Sequence, residues 1–243
     1  MMDADPHDMD VEAAMRGRRV LALMGPARKD RGKFMIGQLE GMKARWGCRI
    51  SVMCEGSDES AFAELVAPDG SAIPKPHLIK EMPWERDPNV CAAVEAAMRE
   101  AERATGVPTG RLILAASHGI GRAYSLPVRN IRRYALVRRI LRDNREPFRI
   151  ARRLFRFAEE MVEKARPDLV YAFEWGTALN FAVWLAARRR GIPCVAVRFS
   201  KIHSERAFWS TGRLMHNDRA RDLALALTAE GTPPSAEGLA FLD

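Results

Sequence analysis

Arg166-Pro167-Asp168-Leu169-Val170-Tyr171-Ala172-Phe173-Glu174-Trp175-Gly176-Thr177, followed downstream by Gly191-Ile192-Pro193-Cys194-Val195-Ala196-Val197-Arg198, is the stretch that decides the fold class. Pro167 stops the segment before it, and the apolar run 169–173 has strand length. Residues 177–190 form a largely apolar helix, and the Gly-Ile-Pro turn leads into a strand over 194–199. This order of strand, polar turn, helix, turn and strand sets Glu174 at the carboxyl end of a strand beside a helix N-terminus, where open α/β sheets bind ligands.

The same alternation starts the chain. Arg19-Val20-Leu21-Ala22-Leu23-Met24 is a short apolar run closed by Gly25-Pro26, and it reads as the first, central strand. After a basic loop, Met35, Leu39, Met42 and Trp46 recur at the spacing of one helix face, and Gly47 ends that helix. Arg49-Ile50-Ser51-Val52-Met53 follows as the second strand, completing a β-α-β unit with parallel strands.

Residues 55–84 carry a poor pattern and are read as a connection. Asp87-Pro88 is a cap followed by a proline at the first helical position, and Val90, Val94, Met98 and Ala101 carry that helix towards Gly106. Arg111-Leu112-Ile113-Leu114-Ala115-Ala116 reads as the next strand, ending in the loop from His118 to Ser125. Over residues 134–165, Tyr134, Val137, Leu141, Phe148, Ala151, Phe155, Ala158 and Val162 fall on helical steps, with a kink expected at Pro147. A second stripe of Arg138, Arg142, Arg145, Arg149, Arg152 and Arg156 runs about 100° round that helix. Residues 217–228 read as helical, and another helix begins near Ser235.

These elements define an α/β fold: a Rossmann-like open parallel sheet with helices on both faces, over residues 18–230. Residues 1–17 are expected to be a disordered N-terminal extension, and 231–243 a linker and the start of a truncated helix, so the chain reads as cut. No run of about 18 apolar residues is present and the N-terminus is acidic, which makes a soluble, unexported, cytoplasmic chain the expectation. Cys48, Cys54, Cys91 and Cys194 lack metal or redox spacing and read as reduced thiols. The net charge of +8 favours anionic partners: nucleotide-linked metabolites, lipid headgroups, acidic glycans or nucleic acid.

Glu174 can serve as a general base, as an acceptor that orients a sugar-like hydroxyl, or as a plain solvated carboxylate at a helix N-terminus. The loop with His118, Gly119, Gly121, Arg122, Tyr124 and Ser125 can approach a phosphate or sugar closely, with Arg122 gripping an anion; an ordinary turn fits it equally. Gly25, Arg28 and Arg31 after the first strand are candidate ligand contacts, although no Gly-x-Gly-x-x-Gly is present for a tight NAD site. The arginine stripe is a candidate contact for anionic membrane or polymer, or a solvated face, and nucleic acid is disfavoured because exposed aromatics are not interleaved with it. His203 and His216 lack a second ligand at metal spacing, so no metal is expected. No serine-hydrolase elbow and no P-loop occurs.

The order of Val20-Leu21-Ala22-Leu23, the Gly119-Ile120-Gly121-Arg122-Ala123-Tyr124-Ser125 loop, the arginine-rich helix, Arg166-Pro167-Asp168-Leu169-Val170-Tyr171 and Arg189-Arg190-Gly191-Ile192-Pro193 resembles the amino-terminal half of bacterial GT-B glycosyltransferases of surface and capsular polysaccharide biosynthesis. The resemblance implies a single GT-B-type half that binds a glycan or lipid-linked acceptor, with Glu174 as base or acceptor-orienting group. Gly25, Arg28, Arg31, His118, Arg122, Tyr124 and Ser125 would line the cleft. It implies no cofactor: the nucleotide-sugar is a donor substrate held mainly by a second domain that this chain lacks. The alternative is a non-catalytic module whose arginine helix docks on anionic membrane or polymer, which would add peripheral contact with the inner face of the membrane.

Overall fold

A computed structural model describes residues 15–24, 30–54, 82–115, 145–173, 177–199 and 207–210, with 143, 175 and scattered positions between 60 and 74. Its elements are β1 (Arg19–Leu23), α1 (Asp30–Trp46), β2 (Arg49–Cys54), β3 (Ala72–Pro74), a 3-10 turn (Pro83–Arg86), α2 (Pro88–Thr105), α3 (Gly110–Ala115), α4 (Glu146–Ala165), β4 (Leu169–Ala172), α5 (Ala178–Arg189), β5 (Cys194–Phe199) and β6 (Ala207–Ser210). The strands form one six-stranded sheet in the order β3-β2-β1-β4-β5-β6. The first five are parallel, and β6 pairs antiparallel with β5 at the edge.

Strand alternation divides the core between the two faces of the sheet. Val20, Ala22, Met24, Ile50, Val52 and Tyr171 pack on one side with Met35, Leu39 and Met42 of α1. Leu21, Leu23, Met53, Val170, Ala172 and Ala196 face the other side, against α2, α4 and α5. The chain is therefore a Rossmann-like α/β fold with helices on both faces. On that second side α5 is buried from Ala178 to Ala187 except at Asn180, which explains its lack of a polar stripe, and Phe181 stacks on Trp184 with ring centroids 5.7 Å apart.

The local signals account for the helix ends. Asp87 caps α2 by accepting from the backbone N–H groups of Asn89 (2.9 Å) and Val90 (3.3 Å), with Pro88 next in the chain. Gly106, at φ 62°, closes α2 in the left-handed region that glycine enters without penalty. Thr177 caps α5 by accepting from Asn180 N–H at 3.3 Å.

Two expectations are corrected. Residues 110–115 are the helix α3, and not a strand. β1 and β4 hydrogen-bond to each other directly, so the sheet has no slot between them for a further strand. Leu112 is instead buried within the helical layer, and the helix is started by Thr109, whose N–H and hydroxyl both reach Glu102 Oε1. Nor does Pro147 kink a helix, because α4 begins at Glu146 and Pro147 lies in its first turn, where a missing N–H costs nothing. The preceding stretch 116–142, like residues 217–228 and 235–243, lies outside the described residues.

The face that α4 buries also differs from the expected stripe. Ile150, Leu154 and Met161 join Ala151, Phe155, Ala158 and Val162 in the core, whereas Phe148 is 62% exposed. Among the described residues, no helix is long and apolar enough to cross a membrane.

Candidate functional site

In a doubly wound sheet, the crevice that accepts ligands lies at the carboxyl ends of the two strands where the winding reverses. Here those strands are β1, whose chain continues to β2 on one side, and β4, whose chain continues to β5 on the other. Their ends are in register, with Leu23 opposite Ala172. Met24 N–H bonds Met53 O at 2.9 Å, which prolongs the β1–β2 pairing to the rim.

Beyond β4, Phe173 is half-buried on the α1 side, while Trp175 is 3% exposed on the α5 side. The indole Nε1 of Trp175 is buried and has no hydrogen-bond partner among the described residues. Two residues later Thr177 starts α5, whose free N–H groups and dipole bring positive potential to the same rim. In sequence Glu174 stands between Phe173 and Trp175, and Gly25 and Arg28 follow Met24, but all three lie outside the described residues. Arg31 falls in the first turn of α1.

His118, Arg122, Tyr124 and Ser125 also lie outside the described residues. What the structure removes is the reason for placing them at this rim, because they follow α3 rather than a parallel strand.

Of the arginine stripe, Arg138 and Arg142 lie outside the described residues and Arg145 is exposed just before α4. The next three are engaged within the molecule. Arg149 pairs with Asp143 at 2.7 Å, which raises its already high pKa and helps hold the Asp143 carboxyl low, after the hydrogen bond that carboxyl receives from Arg145 N–H. Arg152 pairs with Glu95 of α2 at 2.9 Å. Arg156 pairs with Glu160 at 2.7 Å and lies over the Trp84 ring, 4.8 Å from its centroid.

The sequence reading passed over the buried neighbour of this stripe. Arg153, with its side chain 4% exposed, meets Glu85 at 2.7 Å and Glu146 at 3.3 Å, and both carboxylates are as deeply buried. Glu85 Oε2 also accepts Met82 N–H at 2.7 Å, so one carboxylate ties the 3-10 turn to α4. The available signal was the series Ile150, Leu154, Met161, which places position 153 on the inward side of the helix. A second network joins three helices, Arg189 of α5 reaching Glu100 of α2 and Glu159 of α4.

The Pro-Asp-Leu-Val motif serves the opposite end of the sheet. Asp168 accepts from Arg19 N–H at 2.9 Å and from Arg19 Nη2 at 3.1 Å, while Asp168 N–H donates to Arg19 O at 2.8 Å. The Arg19 side-chain hydrogen bond holds the Asp168 carboxyl below its ordinary range. This clamp sets the register of β1 against β4 at their amino ends.

Among the described residues no group of three His, Cys, Asp or Glu side chains is placed to hold a metal, and His203 and His216 lie outside them. All four cysteines are free thiols. No protein-family model and no curated protein matches the chain.

Proposed function

We propose that the chain is the acceptor-binding half of a GT-B-type glycosyltransferase that moves a sugar from a nucleotide-sugar to a glycan or lipid-linked acceptor in surface polysaccharide synthesis. The observation that carries this reading is the strand order, which makes the carboxyl ends of β1 and β4 adjacent at the reversal of winding. The N-terminus of α5 and the net charge of +8 suit an anionic or hydroxyl-rich ligand there. Trp175, 3% exposed, packs directly behind this rim and fixes the turn into α5.

In this reading Glu174 takes the proton of the attacking hydroxyl or orients it. Gly25, Arg28 and Arg31 come from the β1 side of the crevice, and His118, Arg122, Tyr124 and Ser125 are further contacts carried over from the resemblance. Glycosyl transfer builds positive charge on the sugar and negative charge on the departing phosphate, so donors and cations fixed at the rim assist it. The engagement of Arg149, Arg152 and Arg156 with carboxylates of the same chain counts against the alternative of an arginine helix docking on membrane.

The test is saturation-transfer NMR with UDP-, GDP- and CMP-sugars and with neutral and acidic oligosaccharides, on the wild-type chain and on Glu174→Gln and Trp175→Phe. The proposal expects a glycan to bind and both substitutions to weaken it several-fold. It fails if no glycan or sugar nucleotide binds, or if binding ignores both changes.

A further inference from the structure

A cavity of about 220 Å³ opens between α2, the first turn of α3 and the first turns of α4. It shares no described residue with the rim of β1 and β4, so the inference does not rest on the sugar-transfer reading. Met98, Ala151 and the exposed Phe148 supply its apolar lining. Its charged groups are Arg99, Arg152 and Glu95, two guanidiniums against one carboxylate.

Arg152, its side chain 22% exposed, gives Nη1 to Glu95 at 2.9 Å and turns part of its guanidinium to the cavity. Arg99 is exposed and makes no ion pair among the described residues. The partly exposed Arg152 guanidinium therefore lines an open cavity beside a second cation that no carboxylate among the described residues engages. An oxyanion would satisfy both, since guanidinium N–H groups form their strongest hydrogen bonds with carboxylates and phosphates. The volume equals about seven waters at roughly 30 Å³ each, room enough for a short hydrocarbon chain.

We propose that this cavity binds a small amphiphilic anion. A short alkyl chain lies against Met98, Ala151 and Phe148, and a carboxylate or phosphate head accepts from Arg99 and from the exposed part of the Arg152 guanidinium.

Calorimetric titration of the full chain with octanoate, octyl phosphate and 1-octanol tests this. At least one of the two anions should bind about tenfold more tightly than the alcohol, and which one does identifies the head group. Arg99→Gln should remove most of that advantage and leave 1-octanol unchanged, whereas Phe148→Ala should weaken all three. Arg152→Lys keeps a cation opposite Glu95 but removes the forked guanidinium that can serve Glu95 and a ligand together, and anion binding should fall several-fold. If Arg152→Lys does not fold, judged by circular dichroism, the exposed Arg99→Gln decides alone. The proposal is overturned if neither anion binds, if 1-octanol binds as tightly as both anions, or if Arg99→Gln leaves anion binding unchanged.

Discussion

Replacing Arg153 by methionine should be among the most damaging single changes in the chain, although no ligand need touch it. The guanidinium lies between Glu85 and Glu146, with side-chain exposures of 4%, 5% and 1% for the three residues. Methionine fits the apolar stem but takes the cation from the buried Glu85 and leaves Glu146 to Arg149 at 3.5 Å. Removing one partner from a buried ion pair costs about 3–5 kcal/mol, mostly the penalty of the charge left behind. That is a large share of a total stability of about 5–15 kcal/mol. For a chain of this size it corresponds to a fall in Tm of roughly 6–20 °C. The control is Arg156→Met one turn on: its partner Glu160 is 58% exposed, and pair and Trp84 stacking together are worth about 1 kcal/mol. Adding Glu85→Gln and Glu146→Gln to Arg153→Met should recover part of the loss, because the buried charges are gone. Urea denaturation of the four proteins, followed by far-UV circular dichroism, gives the comparison. A loss below about 1 kcal/mol for Arg153→Met, equal to that of Arg156→Met, would refute the assignment of a buried network.

Asp168→Asn should destabilise the chain by on the order of 1 kcal/mol at pH 7, since its partner Arg19 is partly solvated. The folded carboxyl is held low by Arg19, so this contribution is present above the unfolded pKa of about 3.9 and fades as pH falls through the lower folded value. Urea midpoints of wild type and variant should therefore converge as the pH drops below about 4. Thr177→Ala removes the cap of α5 and should cost about 1 kcal/mol by the same assay, with Thr177→Ser recovering most of it. Burial pushes the Cys194 thiol up to about 12 and raises that of Cys48, so a maleimide at pH 8 should label the half-buried Cys91 well before the other three cysteines. Mass spectrometry of the labelled peptides checks this order.

Where a segment's conformation follows from its own residues, the sequence was readable. The spacing of Met35, Leu39 and Met42 gave α1, and the Asp87-Pro88 pair gave the start of α2. Residues 111–116 misled because a six-residue apolar run satisfies strand and helix alike, and periodicity cannot separate the two over so short a length. Phe148 misled in another way: it keeps step with Ala151 and Phe155, yet the face that α4 buries is centred further round, on Ile150 and Leu154. Only the neighbours of α4 fix that rotation. The candidate site was legible as a position in the chain order, after β1 and after β4, but the loop 118–125 was placed at the rim on the strength of a strand that does not exist there.

Alone, the sequence determined the two β-α-β units, the apolar faces that pack on them and the caps that end their helices, because each depends on residues within a few turns of one another. Tertiary structure decided which strands lie side by side, that β1 meets β4, and that Glu85, 68 residues away, closes over Arg153. Those outcomes depend on contacts between residues far apart in the chain, where a carboxylate becomes a counter-ion or a solvated surface group according to what folds over it.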